Sequence, residues 1–170
     1  MSWLARALLS AGMDVTLIVD GANVMGSRAD GWWRDRAGAM ARLHGELAPL
    51  AAYGVPGPMP GTVPGDEGAP GEPDPGQAGG SGAGAVADWW FPEIVLVVEG
   101  QARAVLGLVS EEPRLRVVAA RGEGDDEIAS LAGQLPGQRI VVTADRELRR
   151  RCEAAGAAVT GPRWLIGLLG

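Results

Sequence analysis

Val15-Thr16-Leu17-Ile18-Val19-Asp20-Gly21-Ala22-Asn23 is the stretch on which the fold turns. Its first five residues are aliphatic or β-branched, without the polar–apolar alternation of a strand that has one wet face. The run stops abruptly at Asp-Gly. A strand apolar on both faces belongs in a parallel sheet covered by helices on each side. The run therefore predicts a buried strand over 15–19. Working outward, strand patterns recur at 94–98, 115–119, 139–143 and 158–159, and helical patterns at 33–53, 102–109, 126–135 and 146–155. Within 33–53, Ala37, Met40, Ala41, His44, Leu47, Ala48 and Ala51 fall at helical spacing. Trp164 to Leu169 closes the chain. Repeated strand–helix units predict one α/β domain over residues 1–170, a three-layer α/β/α arrangement with a mainly parallel sheet of about five strands. All strand C-terminal ends then share one edge, where ligands bind near the point at which strand order reverses.

Two segments stand apart from this pattern. Residues 1–12 (MSWLARALLSAG) form a short apolar run, too short to span a membrane and without a convincing signal-peptide cleavage region. They read as an N-terminal extension, with Met1 and Met13 both open as starts, and the protein reads as soluble and cytoplasmic. Residues 54–85 hold 11 Gly and 7 Pro in 32 positions. With almost nothing to bury, such a segment does not offset its ordering entropy and is expected to be a disordered, mobile insertion.

Absences narrow the chemistry. The 170 residues carry 15 basic and 21 acidic side chains, a net of −6, and every basic residue is Arg. Four of the acids (Asp66, Glu67, Glu72, Asp74) lie in the insertion, leaving 17 against 15 elsewhere, so the charge does not exclude a nucleic-acid partner. Without Lys there is no Walker-A site and no Schiff-base chemistry, and a phosphorelay or phosphatase site of the usual kind is disfavoured. One His (His44) and one Cys (Cys152) exclude a zinc finger or a disulfide, and leave little room for a Ser–His–Asp enzyme. His44 is expected to be a satisfied core or boundary residue, and Cys152 a small packing residue. Carboxylates remain, and these act on phosphate esters chiefly through a hard ion such as Mg²⁺ or Mn²⁺.

Carboxylates are what the strand ends supply. Asp20 follows the first strand, Glu99 the second, Glu123-Gly124-Asp125-Asp126-Glu127 the third and Asp145 the fourth. Singly, each has an ordinary explanation as a helix cap or a turn residue. Gathered at one edge they repel, by about 4 kcal/mol for a pair roughly 4 Å apart at an effective dielectric of about 20, so a divalent cation is their natural neutraliser.

Asp20-Gly21-x-Asn23, Gly122-Glu123-x-x-Asp126 and Thr143-x-Asp145-Arg146 together resemble the NYN branch of the PIN-like metal-dependent ribonucleases, most of all its YacP-like members. The likeness runs from about Met13 to Leu169, with the Gly/Pro insertion as a departure. The resemblance implies a PIN-like fold and Mg²⁺- or Mn²⁺-dependent endonucleolytic hydrolysis of single-stranded or structured RNA, leaving a 5′-phosphate and a 3′-hydroxyl. It implies Asp20, Asp126 and Asp145 as metal-binding acids and Asn23 as a group that orients Asp20 or touches a phosphate. Asp125 is the rival of Asp126, and Glu99 an accessory ligand. Glu123 and Glu127 are expected to face solvent or to support the ligands.

Arg146, Arg149 and Arg150 share a helix face directly after Asp145, suited to phosphate contact, with Arg151 beside them. Arg28, Arg34 and Arg36 follow the Asp20 loop and are placed on the other side of an RNA groove. Of the neighbouring pair, Trp32 is the candidate to stack a base and Trp33 the candidate for packing or stacking in its turn. The competing reading is a non-catalytic RNA-binding or scaffold protein of the same fold. Oligomeric state stays open, a homo-oligomer included.

Overall fold

The computed structural model describes residues 14–61, 89–100, 102 and 112–170. Five parallel strands form the central sheet: β1 Val15–Asp20, β4 Glu93–Val98, β5 Leu115–Ala119, β6 Gln138–Val142 and β7 Ala158–Thr160. Their order is β5-β4-β1-β6-β7. The chain thus steps outward from β1 through β4 to β5, then crosses back to the far side of β1 for β6 and β7. The reversal places the topological switch point between β1 and its neighbours, at their C-terminal ends.

Alternate residues of these strands enter two separate cores. Leu17, Val19, Ile94, Leu96, Ile140 and Val142 face one layer, built of α1 Gly21–Gly26, α2 Arg36–Tyr53 and α5 Pro162–Leu169. Ile18, Val95, Val97 and Val141 face the other, built of α3 Gly124–Gln134 and α4 Arg146–Ala154. Both faces are dry, so the strands read as unbroken apolar runs and not as alternation. The architecture is the expected three-layer α/β/α, with a sheet wholly parallel.

Helix starts follow cap chemistry more closely than apolar periodicity. α2 begins at Arg36 and not at 33, because the Asp35 carboxylate accepts the Gly38 N–H at 2.8 Å and a 3-10 turn occupies Trp32–Arg34. α1 is an element that periodicity does not reveal. It is six residues long and starts directly at the end of β1 with Asp20 as its cap.

Of the Gly/Pro insertion expected over 54–85, residues 54–61 are described. Gly54, at a positive φ of 91°, ends α2, and Val55–Pro56 (β2) pairs antiparallel with Trp89–Trp90 (β3). Val55 is completely buried, because the small hairpin gives this lone aliphatic side chain a place in the core. Trp164 stacks on Trp90, ring centres 6.2 Å apart, so the hairpin is pinned to α5. Residues 1–12, the helix expected at 102–109 apart from Ala102, and positions 62–85 of the expected insertion lie outside the described residues.

His44 sits in α2 among core residues, and its Nε2 has no hydrogen-bond partner among the described residues, which corrects the expectation of a satisfied histidine. Burial lowers its pKa, so it is held neutral. Cys152 is buried in α4 with its thiol pushed up to about 11, a packing residue without thiolate character. No helix among the described residues is long and apolar enough to cross a membrane.

Candidate active site at the sheet edge

β1 delivers Asp20 to the switch point with 7% of its surface exposed. One carboxylate oxygen accepts the Asn23 N–H at 3.2 Å, capping α1, and the other accepts the Thr143 hydroxyl at 2.9 Å. Thr143, fully buried at the end of β6, itself accepts the Asp145 N–H at 3.2 Å, which fixes the direction in which its own proton points. The Asn23 side chain accepts the Ala144 N–H at 2.8 Å. The loop after β6 is therefore tied to the start of α1 by two hydrogen bonds separated by more than a hundred residues in sequence.

Gly21 has a steric reason to be glycine. A Cβ there would lie 2.6 Å from the Met40 methyl carbon and 2.7 Å from the Val97 carbonyl oxygen, a backbone atom of the central sheet. Gly21→Ala is expected to destabilise the fold by about 1–3 kcal/mol, the usual cost of overpacking, read as a lower urea midpoint with an unchanged slope.

Each remaining acid is placed by a helix start. Asp145 caps α4, accepting the Leu148 N–H at 2.8 Å. Glu99, just after β4, accepts the Gly124 N–H at 2.7 Å and so serves as a cap for α3, whose own flanking residue Glu123 makes no side-chain cap. Asp20, Asn23, Glu99, Asp125 and Asp145 line one cavity of about 420 Å³.

The structure separates the two neighbouring aspartates of α3. Asp125 lines the cavity, whereas Asp126, its side chain 71% exposed, pairs with Arg151 at 2.9 Å. α3 begins at Gly124, two residues before the periodicity suggests, and successive helical residues point about 100° apart, so only one of the pair faces inward. The expectation that Asp126 joins Asp20 and Asp145 is thereby corrected in placement: Asp125 is the residue brought to them. Burial, and then the nearby charges of Asp145 and Glu99, raise the Asp125 pKa. Asp20 is raised from 3.8 to about 6, chiefly by burial, with smaller contributions from Asp125 and Glu99, against the lowering effect of its hydrogen bonds. The carboxylates line the cavity without closing on a common point: among the described residues no three His, Cys, Asp or Glu side chains are gathered tightly enough to hold an ion as they stand.

The cationic candidates divide similarly. Arg146 and Arg149 form no ion pair among the described residues, and Arg150 meets only Glu147, loosely at 3.5 Å on an exposed surface. Arg28 is committed to Glu46 at 2.7 Å, with little of its side chain exposed, so it is drawn into the body of the protein. Arg34 lies over the Trp33 ring at 6.0 Å and Arg36 over Trp32 at 5.5 Å. Trp32 packs partly against the core, and Trp33, 56% exposed, is the freer aromatic surface. Glu123 is exposed and borders a second cavity beside the first, whereas Glu127 lines neither.

Sequence reading missed Thr143 as a functional group, although Thr143-x-Asp145 was in view. Nothing in one dimension says that this hydroxyl meets Asp20 across the sheet.

Fold and cavity together define a doubly wound α/β protein with an acid-lined crevice at its switch point. The chain is similar in structure to Rae1 (YacP) from Bacillus subtilis, whose crystal structure it matches with a TM-score of 0.56 at 17% sequence identity, over 92% of this chain and 75% of that one. At such identity the likeness is one of fold. No family model matches the chain, and no curated protein matches it in sequence.

Proposed function

We propose that this protein is a metal-dependent ribonuclease that hydrolyses RNA phosphodiester bonds at the acid-lined edge. The observation that carries the reading is the convergence of Asp20, Glu99, Asp125 and Asp145 on one open cavity at the switch point. The likeness of fold to Rae1 (YacP) and the motif resemblance to NYN-type ribonucleases support it.

The donor set suits a hard divalent ion by its chemistry: oxygen ligands only, with no His or Cys among them. The raised pKa of Asp20 points the same way, since a buried carboxylate beside other acids gains most from a cation. Asp20, Asp125 and Asp145 would hold Mg²⁺ or Mn²⁺, with Glu99 at the margin. When bound, the ion supplies a more acidic water and a polarised phosphate. The chain's own part is positioning. Thr143 and the Asn23 N–H hold Asp20 in one orientation, the Asn23 side chain holds the Asp145 loop, and Arg146 and Arg149 offer guanidinium groups to the flanking phosphates.

One observation favours the non-catalytic reading. Asp20, Glu99 and Asp145 are all occupied as helix caps, and capping alone accounts for an acid at each of these positions. Incubation of the protein with end-labelled RNAs and Mn²⁺ separates the two. Cleavage leaving 5′-phosphates, abolished by chelator and by Asp20→Asn, is expected. Absence of cleavage together with absence of Mn²⁺ binding by calorimetry overturns the nuclease. RNA binding that survives both chelator and loss of the acids establishes the scaffold.

A further inference from the structure

A second cavity, of about 330 Å³, opens beside the first. Ala22 and Glu99 belong to the walls of both, so the two adjoin. Its character is different. Met25 and Met40 form an apolar floor and Trp32 a wall, while Arg36 and Glu123 stand at the polar positions. Arg36 lies over the Trp32 ring at 5.5 Å, so an indole and a guanidinium already meet at this place.

We propose that this cavity is a subsite for one unstacked nucleobase of the RNA, next to the phosphate held at the acid-lined edge; the inference rests on the ribonuclease reading. An apolar pocket walled by an aromatic ring and a guanidinium is the surface on which proteins stack splayed-out bases. Because the two cavities adjoin at Ala22 and Glu99, a strand with a phosphate at Asp20 and Asp125 carries its neighbouring base alongside this pocket. The polar groups make the pocket selective. The Glu123 carboxylate accepts hydrogen bonds only, so it favours guanine, whose N1–H and amino group present two donors side by side, over uracil, whose single N3–H lies between two carbonyl oxygens that would face the carboxylate. Sequence preference thus arises from Glu123, at the start of α3, with Trp32 and Arg36 as the stacking surface, apart from the acids placed at the cleavage site.

The test is equilibrium binding of short RNAs to the full chain in an Asp20→Asn background, so that the strand is not consumed. An abasic site is moved along the oligonucleotide one position at a time. One position is expected to weaken binding about tenfold, the effect of losing one base–aromatic stack. Uracil at that position is expected to bind more weakly than guanine, and Glu123→Gln is expected to shrink that difference. In Arg36→Ala, an exposed substitution with no claim on the core, and in Trp32→Ala, the abasic profile is expected to flatten while binding through other positions persists. A flat profile in the parent protein, or a profile unchanged by both substitutions, overturns the subsite and leaves the ribonuclease standing. No binding of any RNA overturns both.

Discussion

Asp125→Asn is expected to reduce RNA cleavage on the order of 10³-fold, the size of loss that follows removal of one group stabilising transition-state charge. Asp126→Asn, one residue on, is expected to leave cleavage within about threefold, because an exposed ion pair such as Asp126–Arg151 contributes only about 0–1 kcal/mol. The pair is a sharp test because the two substitutions are chemically identical and differ only in helical direction. Asp125 faces the cavity shared with Asp20 and Asp145, and Asp126 faces Arg151. Initial rates at saturating Mn²⁺ decide the matter. Equal losses, or the reverse order, would show that α3 presents its other side to the substrate.

Asp20→Asn is expected to have opposite effects on activity and stability. Cleavage is lost, since Asp20 is the most buried acid of the crevice. Stability is expected to rise at neutral pH. The Asp20 pKa is about 6 in the folded protein against 3.8 for an ordinary aspartate in the unfolded chain, so the folded state holds this proton more tightly than the unfolded one. Its contribution to stability is fully present below the unfolded value and is lost as pH rises through the folded value. Above pH 7 the ionised carboxylate therefore costs about 3 kcal/mol, the free-energy equivalent of a pKa raised from 3.8 to about 6. Asparagine is neutral throughout, but it loses an acceptor for the Thr143 hydroxyl, worth about 1 kcal/mol. The variant is expected to be about 1–2 kcal/mol more stable than the parent above pH 7, and less stable near pH 4, in chelator. Urea unfolding at a series of pH values checks it, and a difference constant with pH would remove the buried charge as its cause. Added Mg²⁺ is expected to raise the parent's midpoint and to do less for the variant.

The layers were legible because they rest on local chemistry. Short, β-branched aliphatic runs such as 94–98, bounded by turn residues, mark strands buried on both faces, and helical spacing at Met40, His44, Leu47 and Ala51 marks the face of α2 that meets the sheet. Acids at the strand ends followed from the same reading, since a parallel sheet sends every strand's C-terminal end to one edge. Less visible were features that depend on a single hydrogen bond. α1 exists because Asp20 caps it, and β2 exists because Val55 finds Trp90 across the 62–88 segment. Trp32 and Trp33 are alike in sequence context, and only packing against the core distinguishes the walled ring from the exposed one.

From the sequence alone came the α/β class, the parallel sheet, the edge at which chemistry would gather, and a set of acids with no Lys and almost no His or Cys to compete with them. These follow from composition and periodicity, which are properties of the chain. Tertiary structure decided which acids meet. Asp125 enters the crevice and Asp126 leaves it because α3 starts at Gly124, where Glu99 from another strand supplies the cap. Thr143 joins Asp20 because β1 and β6 are neighbours in the sheet. Helix register and strand adjacency are set by contacts between residues far apart in sequence, and a 100° turn at one helix start is enough to change which carboxylate faces the substrate.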